Sequence, residues 1–235
     1  MKRIFETAAS TLLTLAAVSV AVTVVHREFY ATGRTDRGNP PIDRRPSYHA
    51  EWRSMLSDGE QIGDPAATIK VIEFVDLECP ACRHYHETVL PDIIERYGDT
   101  VSVVFVHFPL SIHRFARPAA IGAECAAAQR AFRPFIDVVF AKQDSLGLKS
   151  WGSYGREAGI ADTSEFSRCV QSPPQTERID AGLALATRLQ LRATPSVMVN
   201  GWLFAAAPGA EELSRTIQAL LAGRSPLLDL AASER

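Results

Sequence analysis

The chain has 235 residues, 46% of them hydrophobic and 22% charged, with a formal net charge of −2 at pH 7. That is enough apolar material for one sizeable core plus an appendage. Acidic and basic residues are intermixed rather than blocked, which excludes a polyanion-binding surface and with it a nucleic-acid partner.

Residues 1–6 carry Lys2 and Arg3 and read as a cytoplasmic tail, and Thr7 to Val25 follow without a charge. As a helix that run reaches about 28 Å, enough to cross a hydrocarbon core. Ser19 and Ala21 offer the rival, a signal-peptide cleavage site. The apolar run continues to Val25, so residues 7–25 are read as an uncleaved transmembrane anchor. Arg27, Arg34 and Arg37 nearly balance the positive charge at the other end. The orientation therefore rests on the thiol chemistry below, which places the bulk of the chain outside the cytoplasm. Residues 26–66 are broken by Gly33, Gly38, Pro40, Pro41, Pro46, Gly59 and Gly63 and read as a linker. Within it Ser47 is expected to cap a short helix through Tyr48, Trp52 and Leu56, packed loosely on the domain or lying near the membrane.

The working domain is expected over 67–225, followed by a tail over 226–235. It opens on T-I-K-V-I-E-F-V-D-L-E-C-P-A-C-R-H-Y, from Thr68 to Tyr85. Alternation sets Ile69, Val71, Glu73 and Val75 on one face of a strand and Ile72 and Phe74 on the other, the pattern of a strand covered on both sides. Cys79 and Cys82 then open a helix whose first turn accepts Pro80. Tyr85, Val89, Leu90 and Ile93 continue it. Unpaired amides and the positive dipole end stabilise a thiolate there, so Cys79 is expected to be the nucleophile and the more buried Cys82 the resolving thiol. Glu73 shares its face with Val71 and Val75 and is expected to be buried, whereas Asp76 at the strand end is expected to be solvated. C-x-x-C is also half of a zinc site. No second C-x-x-C or H-x-x-x-H completes one, and His84 and His86 are expected at the helix surface.

Gly98 closes the helix and V-S-V-V-F-V-H-F, Val101 to Phe108, forms a second buried strand, parallel to the first. Helices are then expected over Pro118 to Phe132, Pro134 to Gln143, Ser150 to Ala158, Asp162 to Gln171 and Gln175 to Leu189, with breaks near Gly147, Gly159 and Pro173-Pro174. A stretch of this length, about 115–191, is too long for a loop and reads as an inserted helical subdomain. Asn200-Gly201 predicts a hairpin between Ser196 to Val199 and Trp202 to Phe204. A last helix, Ala210 to Ala222, turns Leu213, Ile217, Leu220 and Leu221 toward the sheet. Cys125 and Cys169 lie in the insert beside apolar neighbours. They are either two core thiols or a structural disulfide, and an even count in an oxidising compartment favours pairing.

E-F-V-D-L-E-C-P-A-C, the helical insert and A-T-P-S-V-M-V-N-G together resemble the DsbA-like branch of the thioredoxin superfamily, over roughly Gly63 to Gly223. The resemblance implies an α/β thioredoxin fold with a central mixed sheet and an inserted helical subdomain, preceded here by one N-terminal transmembrane helix. It implies a cis bond at Thr194-Pro195, facing the cysteines and offering the Thr194 backbone to an extended substrate as an added strand. It also puts a buried acid at Glu73, whose raised pKa suits it to exchange a proton with Cys82. The dipeptide departs from the family. Ala81 stands where strongly oxidising members have histidine, and Glu78 precedes the nucleophile, with Arg83 as its offset. Cys79 is therefore expected to be less activated than in those enzymes.

The function that follows is a membrane-tethered thiol-disulfide oxidoreductase of the bacterial envelope. It would act through the Cys79-Cys82 pair on cysteine-containing exported proteins, in the oxidising direction, with no cofactor and no metal. Reoxidation by a quinone-linked membrane partner is implied by the resemblance. Ala81 and Thr194 leave a reductase or isomerase with a membrane electron donor as the alternative. A non-enzymatic copper carrier using Cys79, Cys82 and His84 or His86 is a third reading.

Overall fold

The computed structural model describes residues 45–172 and 176–227. The expected anchor over 7–25, most of the tail over 226–235 and the Pro173-Pro174 break lie outside them. Among the described residues no helix is long and apolar enough to cross a membrane.

A mixed six-stranded sheet forms the centre: β1 (Ser47–Tyr48), β2 (Glu60–Ile62), β3 (Ile69–Val75), β4 (Val101–His107), β5 (Ser196–Val199) and β6 (Trp202–Leu203), in the order β1-β6-β5-β3-β4-β2. Only β3 and β4 run parallel, paired from Ile69 with Val101 to Val75 with His107. Every residue of both strands is buried, as their continuous apolar character predicts for central strands. The Asn200-Gly201 turn makes the β5-β6 hairpin, with both residues at positive φ (43° and 93°). That geometry is the one Asn-Gly accepts most readily.

Helices cover both faces. On one side the helical run after Cys79, made of α1 (Pro80–His84), a π turn (Tyr85–Val89) and α2 (Leu90–Tyr97), joins α8 (Ala210–Leu221). Its Tyr85, Val89, Leu90 and Ile93 pack with Leu213 and Ile217 against Ile69, Val71, Val101, Val103, Val197 and Val199. The other face, Ile72, Phe74, Val104, Val106 and Met198, is covered by Leu185 and Ala186 together with Trp52 and Met55. The insert holds α3 (Ala116–Ala127), α4 (Phe132–Ala141), α5 (Trp151–Glu157), α6 (Thr163–Gln171) and α7 (Glu177–Arg188). Phe132, Phe135, Ile136, Val139, Phe140, Tyr154 and Phe166 build a second core there, continuous with Val75, Leu77, Cys79 and Cys82. Cys125 and Cys169 are bridged, with Cα atoms 5.8 Å apart and a sequence separation of 44. In chain-entropy terms closing such a loop stabilises by on the order of 4 kcal/mol.

Two expectations are corrected by this packing. Residues 47–62 are not a loosely attached spacer. Ser47 caps no helix but lies in β1, paired with β6, and Trp52–Asp58 is a 3-10 helix, with Trp52 and Met55 buried. Both side chains help Leu185 and Ala186 cover the Ile72–Phe74 face of the sheet, so the domain includes residues 47–62 rather than beginning at 67. Leu221 is 45% exposed. It follows Leu220 by about 100° of helix rotation and so leaves the face that Leu213 and Ile217 occupy.

Gly182 is where α7 comes closest to the sheet, since a Cβ there would lie 2.1 Å from the His107 carbonyl oxygen. Alanine has the better helix propensity by about 1 kcal/mol, but the obstruction is backbone and cannot swing aside. Gly182→Ala is expected to lower stability by about 1–3 kcal/mol. An unchanged urea midpoint would refute that packing.

Candidate active site

Antiparallel pairing of β5 with β3 matches Ser196 to Phe74, so the chain just before β5 arrives at the same sheet end from which β3 runs out. Thr194-Pro195 and Cys79 therefore meet, although 115 residues separate Thr194 from Cys79. The Thr194-Pro195 bond is cis. The Cys79 thiol donates to the Thr194 carbonyl oxygen at 3.3 Å.

Cys79 is the N-cap residue, with extended backbone (φ −76°, ψ 121°) and Pro80 in the first turn. Its thiol is held well below the ordinary thiol range, at about 5. The largest cause is a hydrogen bond from the Cys82 thiol, with the Thr194 hydroxyl and the Cys82 and Ala81 amides adding to it against the opposing effect of burial. The two roles of Thr194 belong to two protonation states. A thiol donates to the carbonyl, whereas a thiolate, which cannot, draws on the hydroxyl, buried and otherwise without a partner. Cys79 is 8% exposed and Cys82 is sealed, at 0%. Burial, first of all, then the bond to Cys79 and the nearby Glu73 charge push the Cys82 thiol far up.

Glu73 is 1% exposed, and neither carboxyl oxygen has a hydrogen-bonding partner. Burial raises its pKa to about 8, so the group is largely uncharged at pH 7. A cavity of about 10 Å³ lies between Glu73, His86, Leu90 and Arg133, close to the room that one water needs.

Several neighbours differ from the expectations drawn on sequence. Asp76 is not solvated. Its side chain is fully buried and accepts hydrogen bonds from the Glu78 and Leu110 amides, 2.8 Å each, and pairs with His113 Nδ1 at 2.7 Å. His86 is buried, not at the surface, and pairs with Asp137 at 2.7 Å while packing on Phe140. The π turn widens the helix there by one residue, so that Tyr85 and His86 both turn inward. Only His84 is exposed. Arg83 reaches Asp144 at 3.2 Å rather than Glu78, whose carboxylate accepts from the Phe115 amide. Gln143, buried between α4 and α5, donates to the Leu77 and Cys79 carbonyls at 2.9 and 3.0 Å and so fixes the turn that carries the nucleophilic position. Gln143 opens a 3-10 turn at the end of the expected Pro134 to Gln143 helix, and His113 sits in the loop after β4; nothing in the sequence marks either as part of the site. Among the described residues no three His, Cys, Asp or Glu side chains converge in a metal-holding group.

A family model described as thioredoxin matches residues 57–219, more than half of the chain. The probable disulfide bond formation protein D of Bacillus anthracis is 29% identical over 175 residues, covering 68% of this chain and 77% of that protein. The Na(+)/H(+) antiporter NhaA of Herminiimonas arsenicoxydans is 33% identical over 139 residues, which is 59% of this chain and only 22% of the antiporter's length. Among solved structures, oxidised BdbD from Bacillus subtilis superposes with a TM-score of 0.63 at 19% identity, covering 77% of this chain and 97% of BdbD. With its cysteine pair at a helix start, a cis proline beside it and a helical insert over it, the chain belongs to the thioredoxin family, in its DsbA-like branch of thiol-disulfide oxidoreductases.

Proposed function

We propose that the protein oxidises thiols of exported polypeptides through a Cys79-Cys82 disulfide, on the extracytoplasmic side of a membrane in which residues 7–25 anchor it. The observation that carries this reading is the asymmetry of the pair. One sulfur is reachable and acidic, while the other is sealed and held protonated beside an uncharged carboxyl.

A substrate thiolate attacks Cys79 Sγ. The S–S bond to Cys82 breaks, and Cys82 leaves with the electron pair. A thiolate in that dry site is costly, and Glu73, which still holds its proton at pH 7, is placed to donate it. A second substrate thiolate then attacks the substrate sulfur of the mixed disulfide. Cys79 departs as the stabilised thiolate, and the substrate keeps the new disulfide. Throughout, an extended substrate segment pairs with the Thr194 backbone ahead of Pro195, which holds its cysteine at Cys79 without reading the flanking side chains. A quinone-linked membrane oxidase is the partner that would restore the Cys79-Cys82 bond.

Thiolate stabilisation supports the oxidising direction, because a more stable reduced form is a stronger oxidant when bridged. An acidity of about 5 for Cys79 falls between roughly 7 in thioredoxin and roughly 3.5 in DsbA. A glutathione redox titration is therefore expected to give a potential between roughly −270 and −120 mV. A value at or below the thioredoxin end would transfer the protein to the reductase reading, in which the same sulfurs accept electrons from a membrane donor.

A further inference from the structure

The dipeptide between the two cysteines, Pro80-Ala81, contains no cation. The fold brings a histidine to the site from elsewhere. The loop after β4 folds back so that Asp76, two residues before Glu78, binds it twice, through the Leu110 amide and through His113 Nδ1. The Asp76 carboxylate is fully buried and the His113 ring about one fifth exposed (21%). Asp76 also receives a hydrogen bond from the Glu78 amide, and its own amide donates to Cys82 Sγ at 3.5 Å. The Cys79 amide in turn donates to the Asp76 carbonyl at 3.1 Å. The imidazole is thus clamped to the very residue that carries the cysteine turn.

We propose that His113, oriented by Asp76, is a positioning residue for the redox pair: as imidazolium it stabilises the Cys79 thiolate from outside the dipeptide and so raises the oxidising power of the Cys79-Cys82 disulfide. The inference rests on the redox reading of that pair. Its charge environment is consistent in sign. Asp76, Cys79 and Glu78 all favour the protonated ring and together outweigh its partial burial, so that its pKa is raised. The other charges nearby are engaged. Arg114, next in the loop, lies over the Phe115 ring, 5.4 Å from its centroid, Glu78 accepts from the Phe115 amide, and Arg83 is paired with Asp144. As pH rises through the pKa of His113 the charge is withdrawn, and the reduced form loses that support.

Coupling between two ionising sites is reciprocal, which supplies a test in the unaltered protein. His113 is titrated by NMR with the pair bridged and with it reduced, where Cys79 is a thiolate. The pKa of His113 is expected to be higher in the reduced protein by about one pH unit. In His113→Gln the Cys79 thiolate absorbance is expected to titrate about one pH unit higher, and the equilibrium constant with glutathione to move about tenfold toward the bridged form. That change is about 30 mV for a two-electron couple. Equal His113 pKa values in the two redox states, or a glutathione equilibrium unmoved in His113→Gln, would overturn the proposal and leave Cys79 an acidic thiol. A wild-type Cys79 that ionises like free cysteine would remove the redox reading itself.

Discussion

Cys82→Ser is expected to convert the protein into a trap. Serine keeps a hydroxyl able to donate to Cys79, which preserves the largest contribution to its acidity, but no internal disulfide can form. Cys79 should still react with oxidised glutathione or a substrate disulfide, and the adduct should persist because the sulfur that would expel it is gone. Neighbouring groups held in reaction geometry act at effective concentrations of about 10⁵ M or more. Turnover of a peptide dithiol should therefore fall by on the order of a thousandfold or more. Mass spectrometry should find the adduct in Cys82→Ser and not in Cys79→Ser. If Cys82→Ser turns over normally, or if Cys79→Ser accumulates the same adduct, the assignment of nucleophile and resolving sulfur is wrong.

The second large effect concerns Glu73 and has opposite signs in stability and in rate. In the unfolded chain this carboxyl ionises near 4.5, and in the folded protein near 8. Between those values the folded state binds more protons than the unfolded one, so stability falls as pH rises through this window and the whole penalty is present above it. At pH 7 the penalty is about 3 kcal/mol as an upper figure. Glu73→Gln removes the ionisation and is expected to stabilise the protein by about 1–3 kcal/mol at pH 7, with no gain below the unfolded pKa. The same change deprives Cys82 of its proton donor and should slow mixed-disulfide formation on the order of a hundredfold. Chemical denaturation at pH 4 and pH 7, paired with stopped-flow thiol exchange, checks both signs. A stability difference independent of pH would show that the carboxyl is already ionised in the native state.

The core and the chemistry differ in how far sequence reveals them. The fully buried Ile69–Val75 strand, the Cys79 helix start, the Asn200-Gly201 hairpin and the helical insert were all legible, because each depends on a local pattern. Glu73 was legible through strand alternation, while Thr194-Pro195 drew its meaning from resemblance alone. What stayed hidden depends on partners distant in the chain. Asp76 looks like a strand-end carboxylate until Leu110 and His113 fold over it, and Gln143 acquires a role only because two carbonyls of the cysteine turn face it. His86 misled for another reason. A single π turn shifts the inward face by one residue, and no periodicity argument that assumes a regular helix can register it. Trp52 and Met55 sit among residues that break regular structure, so their part in the core shows only in the sheet face they cover.

The closed position of Cys82 also bears on chemical damage. Peroxide reaching the reduced protein meets Cys79 alone, and its thiolate would take up one oxygen as a sulfenic acid. The sheltered neighbour then condenses with it, expelling water and leaving the ordinary S–S bond in place of the irreversible higher acids. Seclusion of one sulfur thus makes the harmful oxidant feed the same product as the working cycle.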